Sequence, residues 1–251
     1  LVAELLANFG KVTAKVVQHI GVRAQFKTVH RRIAGNAPWA LVIVNDQEFA
    51  RLGKKVIEIE HLCKSFGPQK IISDFSMILG PSERIGIIGK NGYGKSTLLN
   101  LLAGKLKPDS GTITLGDTVK LGYFSQESED MDLSLRAIDY IREKAEVMEN
   151  SRGETVTAAQ MMELFLFDKN SQWVYISELS GGERRRLYLL GILMMAPNVL
   201  LFDEPTNDLD IDTLTILEAY LDEFQGSVLT VSHDRYFLDR TCEQILSFDG
   251  K

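Results

Sequence analysis

The stretch Arg84-Ile85-Gly86-Ile87-Ile88-Gly89-Lys90-Asn91-Gly92-Tyr93-Gly94-Lys95-Ser96-Thr97 decides the fold. Arg84 to Ile88 reads as a short buried strand. From Gly89 the chain follows G-x-x-x-x-G-K-[ST], closing on Gly94, Lys95 and Ser96, the pattern of a phosphate-cradling P-loop. Glycines at 89, 92 and 94 let the backbone bend with few side chains in the way, so consecutive N–H groups can point at phosphate oxygens. Ser96 to Leu102 reads as a helix whose N-terminus faces the same anion with a favourable dipole. Lys95 supplies a point charge for the β- and γ-phosphates, and Ser96 is placed to ligate Mg2+. A strand before the pattern and a helix after it separate this stretch from a plain glycine loop.

Length and composition set the frame. The chain has 251 residues, a formal net charge of −6 and 45% hydrophobic residues, an ordinary globular composition with room for a sizeable core and two subdomains. The acidic balance does not support the chain as a whole binding polyanions. The charge is uneven, however: residues 1–55 hold nine Lys/Arg against three Asp/Glu, leaving 19 against 31 for the rest, or about +6 and −12. That asymmetry points to a basic N-terminal arm on an acidic domain. Cys63 and Cys242 belong to no C-x-x-C or Cys/His cluster, so neither a zinc site nor a disulfide framework is expected. Both read as small apolar residues in a reducing compartment. Leu187 to Ala196, the longest apolar stretch, is about half a membrane span. No secretory leader pattern is visible, and the expectation is a soluble, cytoplasmic protein.

Outward from the loop toward the N-terminus, Val56 to Leu62 and Ile71 to Leu79 read as neighbouring strands, and the domain starts near Val56. Phe66, between them, either stacks on a base or packs in the core; the motif leaves both readings open. Residues 1–55 read as a linker-like segment. Val2, Leu5, Leu6, Phe9, Val12, Val16 and Ile20 fit a helical apolar stripe, weakened by Gly10. Lys11, Lys15, Arg23, Lys27, Arg31 and Arg32 form either a solvated basic face or a surface for RNA phosphates. Gly35 to Pro38 is a break, Leu41 to Val44 a short apolar run, and Arg51 to Lys55 a linker.

Toward the C-terminus, Thr112 to Leu115 and Thr118 to Phe124 read as strands. Gln126 follows the second, where it can reach a metal or an attacking water, or serve as an ordinary loop residue. Leu133 to Glu149 and Thr157 to Phe167 read as helices, broken at Asn150 to Gly153, with Met161, Met162, Leu164, Phe165 and Leu166 as core. Together they suggest a helical subdomain inserted into an α/β core over about 127–196. Leu179-Ser180-Gly181-Gly182-Glu183 opens a further helix with another anion-ready terminus. Val199 to Phe202 is an apolar run with the length of a central parallel strand, ending in Asp203-Glu204, where open α/β sheets place their ligands. In P-loop enzymes an Asp there holds Mg2+, and the next carboxylate can orient or deprotonate the attacking water. Thr213 to Phe224 is a helix. Ser227 to Val231 is a core strand ending in Ser232-His233-Asp234, where His233 could bond a γ-phosphate or the water. Glu243 to Phe248 reads as an edge strand.

In that order the P-loop, Gln126, Leu179-Ser180-Gly181-Gly182-Glu183, Leu200-Leu201-Phe202-Asp203-Glu204 and His233 resemble the ATP-binding-cassette ATPases over about residues 56–251. Glu204-Pro205-Thr206-Asn207-Asp208-Leu209-Asp210 and Ser232 to Asp239 look like the ABC-F subfamily and its Uup-like branch; subunits of membrane transporters more often carry Ser-Ala in place of Asn207-Asp208. The resemblance implies a P-loop fold of ABC type, with a mostly parallel core sheet, an antiparallel β part and the inserted helical subdomain. It implies ATP and Mg2+ as ligands. Phe66 would stack on adenine, while Gly89, Asn91, Gly92, Gly94, Lys95, Ser96 and Thr97 would hold the phosphates and Mg2+. Gln126 would sense metal and water, Asp203 would hold Mg2+, Glu204 would be the general base, and His233 would contact the γ-phosphate. Ser180, Gly182 and Glu183 would close over ATP held by an opposing cassette, from the same polypeptide or a second copy, with Asp210 at the seam. An ABC-F protein would act on the ribosome and its RNA in translation; a Uup-like one would bind branched DNA; a transporter subunit would need a membrane partner. The chain resembles a C-terminal cassette with part of its linker. It departs from that pattern in residues 1–50, where Gly10, Gly21, Gly35 and Pro38 interrupt the charged helices the resemblance implies.

Overall fold

The structure, a computed structural model, describes residues 13–16, 25–28, 55–126, 131–149 and 155–248. Its elements run β1 (Thr13–Val16), β2 (Gln25–Thr28), β3 (Ile57–Phe66), β4 (Gln69–Leu79), β5 (Arg84–Gly89), α1 (Lys95–Leu102), β6 (Ser110–Leu115) and β7 (Leu121–Phe124). Then come α2 (Ala137–Lys144), β8 (Val147–Glu149), β9 (Thr155–Thr157), α3 (Ala158–Leu164) and α4 (Gly181–Met194). The chain closes with β10 (Val199–Asp203), α5 (Pro205–Asp208), α6 (Ile211–Glu223), β11 (Ser227–Val231), α7 (Arg235–Thr241) and β12 (Gln244–Phe248). The chain divides into two compact units.

The first unit comprises Leu1–Ala34, Gly53–Asp117 and Ser227–Lys251. Here β5 runs parallel between β11 and β12, with Ile87 paired to Val231 on one side and Leu246 on the other. All residues of β5 but Gly89 are buried, which is why Ile85 to Ile88 reads as a continuous apolar run rather than an alternating one. A separate antiparallel sheet, ordered β4-β3-β6, supplies the β part that the resemblance implies. Cys242 packs against Ile88, Leu238 and Ile245. Burial pushes its thiol up to about 11.

Two expectations change in this unit. β12 is not an edge strand, because β2 pairs with it antiparallel through Gln244–Thr28 and Ile245–Lys27. The helical stripe expected across residues 2–20 is interrupted by β1, a strand that pairs with β2 and contains the β-branched Thr13 and Val16. The break at 35–38, the run 41–44, the linker at 51–54 and the break at 150–153 lie outside the described residues. So does the basic face, apart from the backbones of Lys15 and Lys27.

The second unit comprises Gly35–Leu52 and Thr118–Gly226. β10 pairs parallel with β7, and every residue of β10 is buried. The Asn198 side chain fixes where the two strands begin, accepting from the Lys120 N–H and donating to the Thr118 carbonyl, both at 2.7 Å. From Leu187 to Met194 all of α4 is buried, so the longest apolar stretch of the sequence is a core helix. Among the described residues no helix is long and apolar enough to cross a membrane. The helix expected over 133–149 is shorter: α2 ends at Lys144, Ala145 is extended, and β8 pairs with β9. Thr155, Val156 and Thr157 are β-branched, and Thr157 then caps α3 through a capping box with Gln160. Met161, Met162 and Phe165 are core as expected, but Leu166 is 48% exposed.

Candidate functional site

The loop after β5 is built as its glycines require. Gly94 has φ +93, and a Cβ there would sit 2.5 Å from Ile71 Cγ2; at Gly89 one would sit 2.5 Å from the Phe248 carbonyl oxygen. Neither position has room for a side chain. Gly92 also adopts a positive φ, with open space beside it, which leaves its backbone approachable by a ligand. Lys95, at the start of α1, is 6% exposed, and its ammonium donates to the carbonyls of Gly89 at 2.8 Å and Lys90 at 3.1 Å. A buried cation held against backbone turned by glycines fits a polyphosphate. Ser96 and Thr97 follow on the first turn of α1, where Asn100 donates to the Ser96 carbonyl.

His233, at the end of β11, is brought to this loop: its Nε2 lies 2.8 Å from Asn91 Oδ1. The sequence placed both at one strand-end site, and the first unit joins them directly. Phe66, the last residue of β3, is 49% exposed with the Lys64 ammonium 5.6 Å from its ring centre. That exposure removes the core alternative.

In the second unit Asp203 ends β10 at 2% exposure and Glu204 follows at 7%. Glu204 has φ 52 and ψ 53, a left-handed conformation costly for a side chain with a Cβ. Gln126 is exposed just beyond β7. The Ser96 hydroxyl, the Gln126 amide and the Asp203 carboxylate are hard oxygen donors of the kind Mg2+ takes. Among the described residues no three His, Cys, Asp or Glu side chains cluster as an all-protein cage, and Mg2+ bound through a carboxylate and substrate phosphates needs none.

The Leu179–Glu183 stretch forms the N-terminus of α4. The Ser180 N–H donates to the Glu183 carboxylate at 2.8 Å and the Glu183 N–H to the Ser180 hydroxyl at 3.2 Å, a capping box. These Ser180 bonds hold the Glu183 carboxyl below its usual range. A Cβ added at Gly181 or Gly182 would meet nothing within 4 Å. Local packing therefore does not require glycine at either helical position, although glycine weakens a helix. Gly182→Ala is expected to raise stability by about 0.5 kcal/mol in urea unfolding; a fall of 1 kcal/mol or more would mean that the unit itself needs the glycine.

One functional neighbour was not visible in the sequence. Arg185 sits inside the triplet Arg184-Arg185-Arg186 on the first turns of α4, yet it is 5% exposed. Its guanidinium donates to the Ser125 carbonyl, next to Gln126, lies 3.3 Å from the Asp208 carboxylate and stacks 3.8 Å above the Phe124 ring. Burial pushes the guanidinium down from its ordinary value, and the Asp208 carboxylate opposes that shift. Arg186 lies 3.4 Å from Asp210, which caps α6 by accepting from the Thr213 N–H at 2.7 Å. Periodicity gives no signal for Arg185, because Arg184, Arg185 and Arg186 all have apolar residues three and four positions further on. Arg185→Met is expected to lower stability by about 2 kcal/mol, with Arg185→Lys recovering less than half because an ammonium lacks the planar fork. A urea double-mutant cycle with Asp208→Asn checks this, and purely additive losses would contradict the pairing.

Comparison with known proteins places the chain. The ABC transporter family profile matches residues 72–207, and the chain belongs to that family of ATP-binding cassettes. It is 54% identical over 200 residues to YfmR of Bacillus subtilis, an uncharacterised ABC transporter ATP-binding protein, covering 80% of this chain and 32% of that one. It is 45% identical over 201 residues to the energy-dependent translational throttle protein EttA of Escherichia coli K12, covering 80% and 36%. The ATP-binding protein Uup of the same strain is 40% identical over 205 residues, covering 81% and 32%. These relatives bear out the resemblance to the ABC-F group, and the chain spans about a third of their length. Among solved structures, the ATP-binding subunit of an ABC transporter aligns with TM-score 0.64 at 17% identity over 78% of this chain and 86% of that one. CbiO1 of Clostridium perfringens aligns with TM-score 0.60 at 22% identity over 79% and 86%. Both show the same fold.

Proposed function

We propose that this chain is one ATP-hydrolysing cassette of an ABC-F protein that works on the ribosome in translation. The observation that carries the paired-cassette part is the empty space beside Gly181 and Gly182. Two glycines opening a helix, with nothing of their own unit against them, suit close approach by a second cassette and its nucleotide. The translational part is supported by 45% identity to a protein named as a translational throttle.

In this reading Phe66 stacks on the adenine, Lys95 and the backbone of the 89–97 loop hold the phosphates, and Ser96 and Asp203 hold Mg2+. When bound there, Mg2+ would supply positive charge that offsets the charge of the phosphates. Glu204 takes the proton of the attacking water, with Gln126 and His233 orienting the reacting groups. Ser180, Gly182 and Glu183 close on nucleotide held by the other cassette, so a lone cassette turns over slowly and in proportion to pairing. Gly182→Ala is therefore expected to lose at least tenfold in hydrolysis while remaining folded.

Ribosome cosedimentation of full-length protein carrying Glu204→Gln, with and without ATP, tests the assignment. ATP-dependent pelleting is expected. No pelleting by protein shown to hold ATP would overturn the ribosomal reading and favour branched DNA, then a membrane partner. The net negative charge of residues 56–251 weighs against tight DNA binding by the cassette itself.

A further inference from the structure

In the second unit the end of α3 and one face of α6 leave an open groove of about 280 Å3. α6 contributes positions 212, 215, 216, 219 and 220, the spacing of a single helical face, and no described element fills it. Leu166 stands at the rim, 48% exposed and held at φ 62, so the chain keeps both a strained backbone and an uncovered aliphatic side chain at this one place. Ile216, Ala219 and the ring of Tyr220 line the groove beside it.

The charged side chains that line this apolar floor have one sign. Glu163 and Asp212 line the groove, and both are exposed. Along α3 and α6 every charged residue is a carboxylate: Glu163, Asp212, Glu218, Asp222 and Glu223. Nucleic acid and anionic lipid are repelled by such a surface. The volume lies just below the roughly 300–1,000 Å3 of small-molecule sites and suits a few aliphatic side chains. An amphipathic helix laid in a groove presents side chains at that spacing.

We infer that the α3–α6 groove is a docking site for a partner protein, which inserts the apolar face of a Lys/Arg-bearing amphipathic segment between Leu166 and Ile216 while its cations meet Glu163 and Asp212. The groove uses none of the residues assigned to nucleotide or hydrolysis, so it stands apart from the ribosomal reading and fails or succeeds independently of it.

The test uses two labelled 18-residue helical peptides of matched apolar content, one of Leu and Lys and one of Leu and Glu, titrated with the full chain by fluorescence anisotropy. The Leu/Lys peptide is expected to bind at least tenfold tighter than the Leu/Glu peptide. Ala219→Trp, which fills the groove, should weaken the Leu/Lys peptide at least tenfold. The paired substitution Glu163→Lys and Asp212→Lys changes only exposed rim positions and should reverse the preference. Equal binding of the two peptides overturns the inference. So does parental binding of the Leu/Lys peptide by Ala219→Trp, or an unchanged preference in the rim variant. Sedimentation runs alongside: a parental dimer dissolved by Ala219→Trp would assign the groove to a second copy and overturn the inference as well.

Discussion

Glu204→Gln is expected to lower ATP hydrolysis at least a hundredfold while leaving ATP affinity within a factor of two. General-base catalysis contributes typically 10²–10⁴-fold, and the amide cannot accept the proton. Gln has almost the shape of Glu, so the buried position and its left-handed backbone are preserved and the loss isolates the chemistry. Phosphate release and filter binding on the same preparation separate the two quantities. Hydrolysis at the parental rate would remove Glu204 as the base. A companion substitution separates strain from chemistry. Glu204→Gly relieves a left-handed Cβ worth about 1 kcal/mol but adds chain entropy to the unfolded state of similar size. It should therefore keep stability within about 1 kcal/mol of the parent while losing hydrolysis just as fully.

Lys95→Ala is expected to act on the other quantity, weakening ATP binding at least tenfold. The Lys95 ammonium is buried and already bonded to the Gly89 and Lys90 carbonyls, so it is preorganised at the centre of the loop. A hydrogen bond to a charged group is worth about 1.5–3 kcal/mol, which corresponds to roughly ten- to more than hundredfold in affinity. Removing the side chain also leaves the loop without the cross-brace between its first two residues. Lys95→Arg should recover little, because a planar fork does not replace a compact ammonium among converging carbonyls. Equilibrium binding of a non-hydrolysable ATP analogue measures the effect without turnover. Affinity within threefold of the parent would mean the phosphates are held elsewhere.

The parts of this molecule that were legible in the sequence share a physical cause. β5, β10 and β11 are buried along nearly their whole length, so each is dominated by apolar residues, and the glycine loop or polar residues that follow stand out. The loop at 89–97 and the pair Asp203-Glu204 stand out that way in the sequence alone. β8 and β9 do not, because strands of three residues have no period to detect. β12 reads as an edge in sequence because the strand beside it, β2, comes from the distant N-terminal segment. Arg185 was hidden by its charged neighbours, since burial of one arginine in three depends on the helix face it occupies. Phe66 could be resolved only by exposure, which sequence does not report.

The packing of Cys242 gives the first unit a chemical clock. Alkylation requires a thiolate in contact with reagent, and this thiol is both 5% exposed and shifted to about 11, whereas Cys63 is only partly covered. Iodoacetamide should therefore modify Cys63 promptly and reach Cys242 only when α7 and β12 part from β5. The slow phase then reads the free energy of that opening. A ligand that binds only the closed form slows it by the factor 1 + [L]/Kd, about a hundredfold at a hundred times Kd. Nucleotide affinity thus becomes measurable by mass spectrometry in a variant that no longer hydrolyses anything.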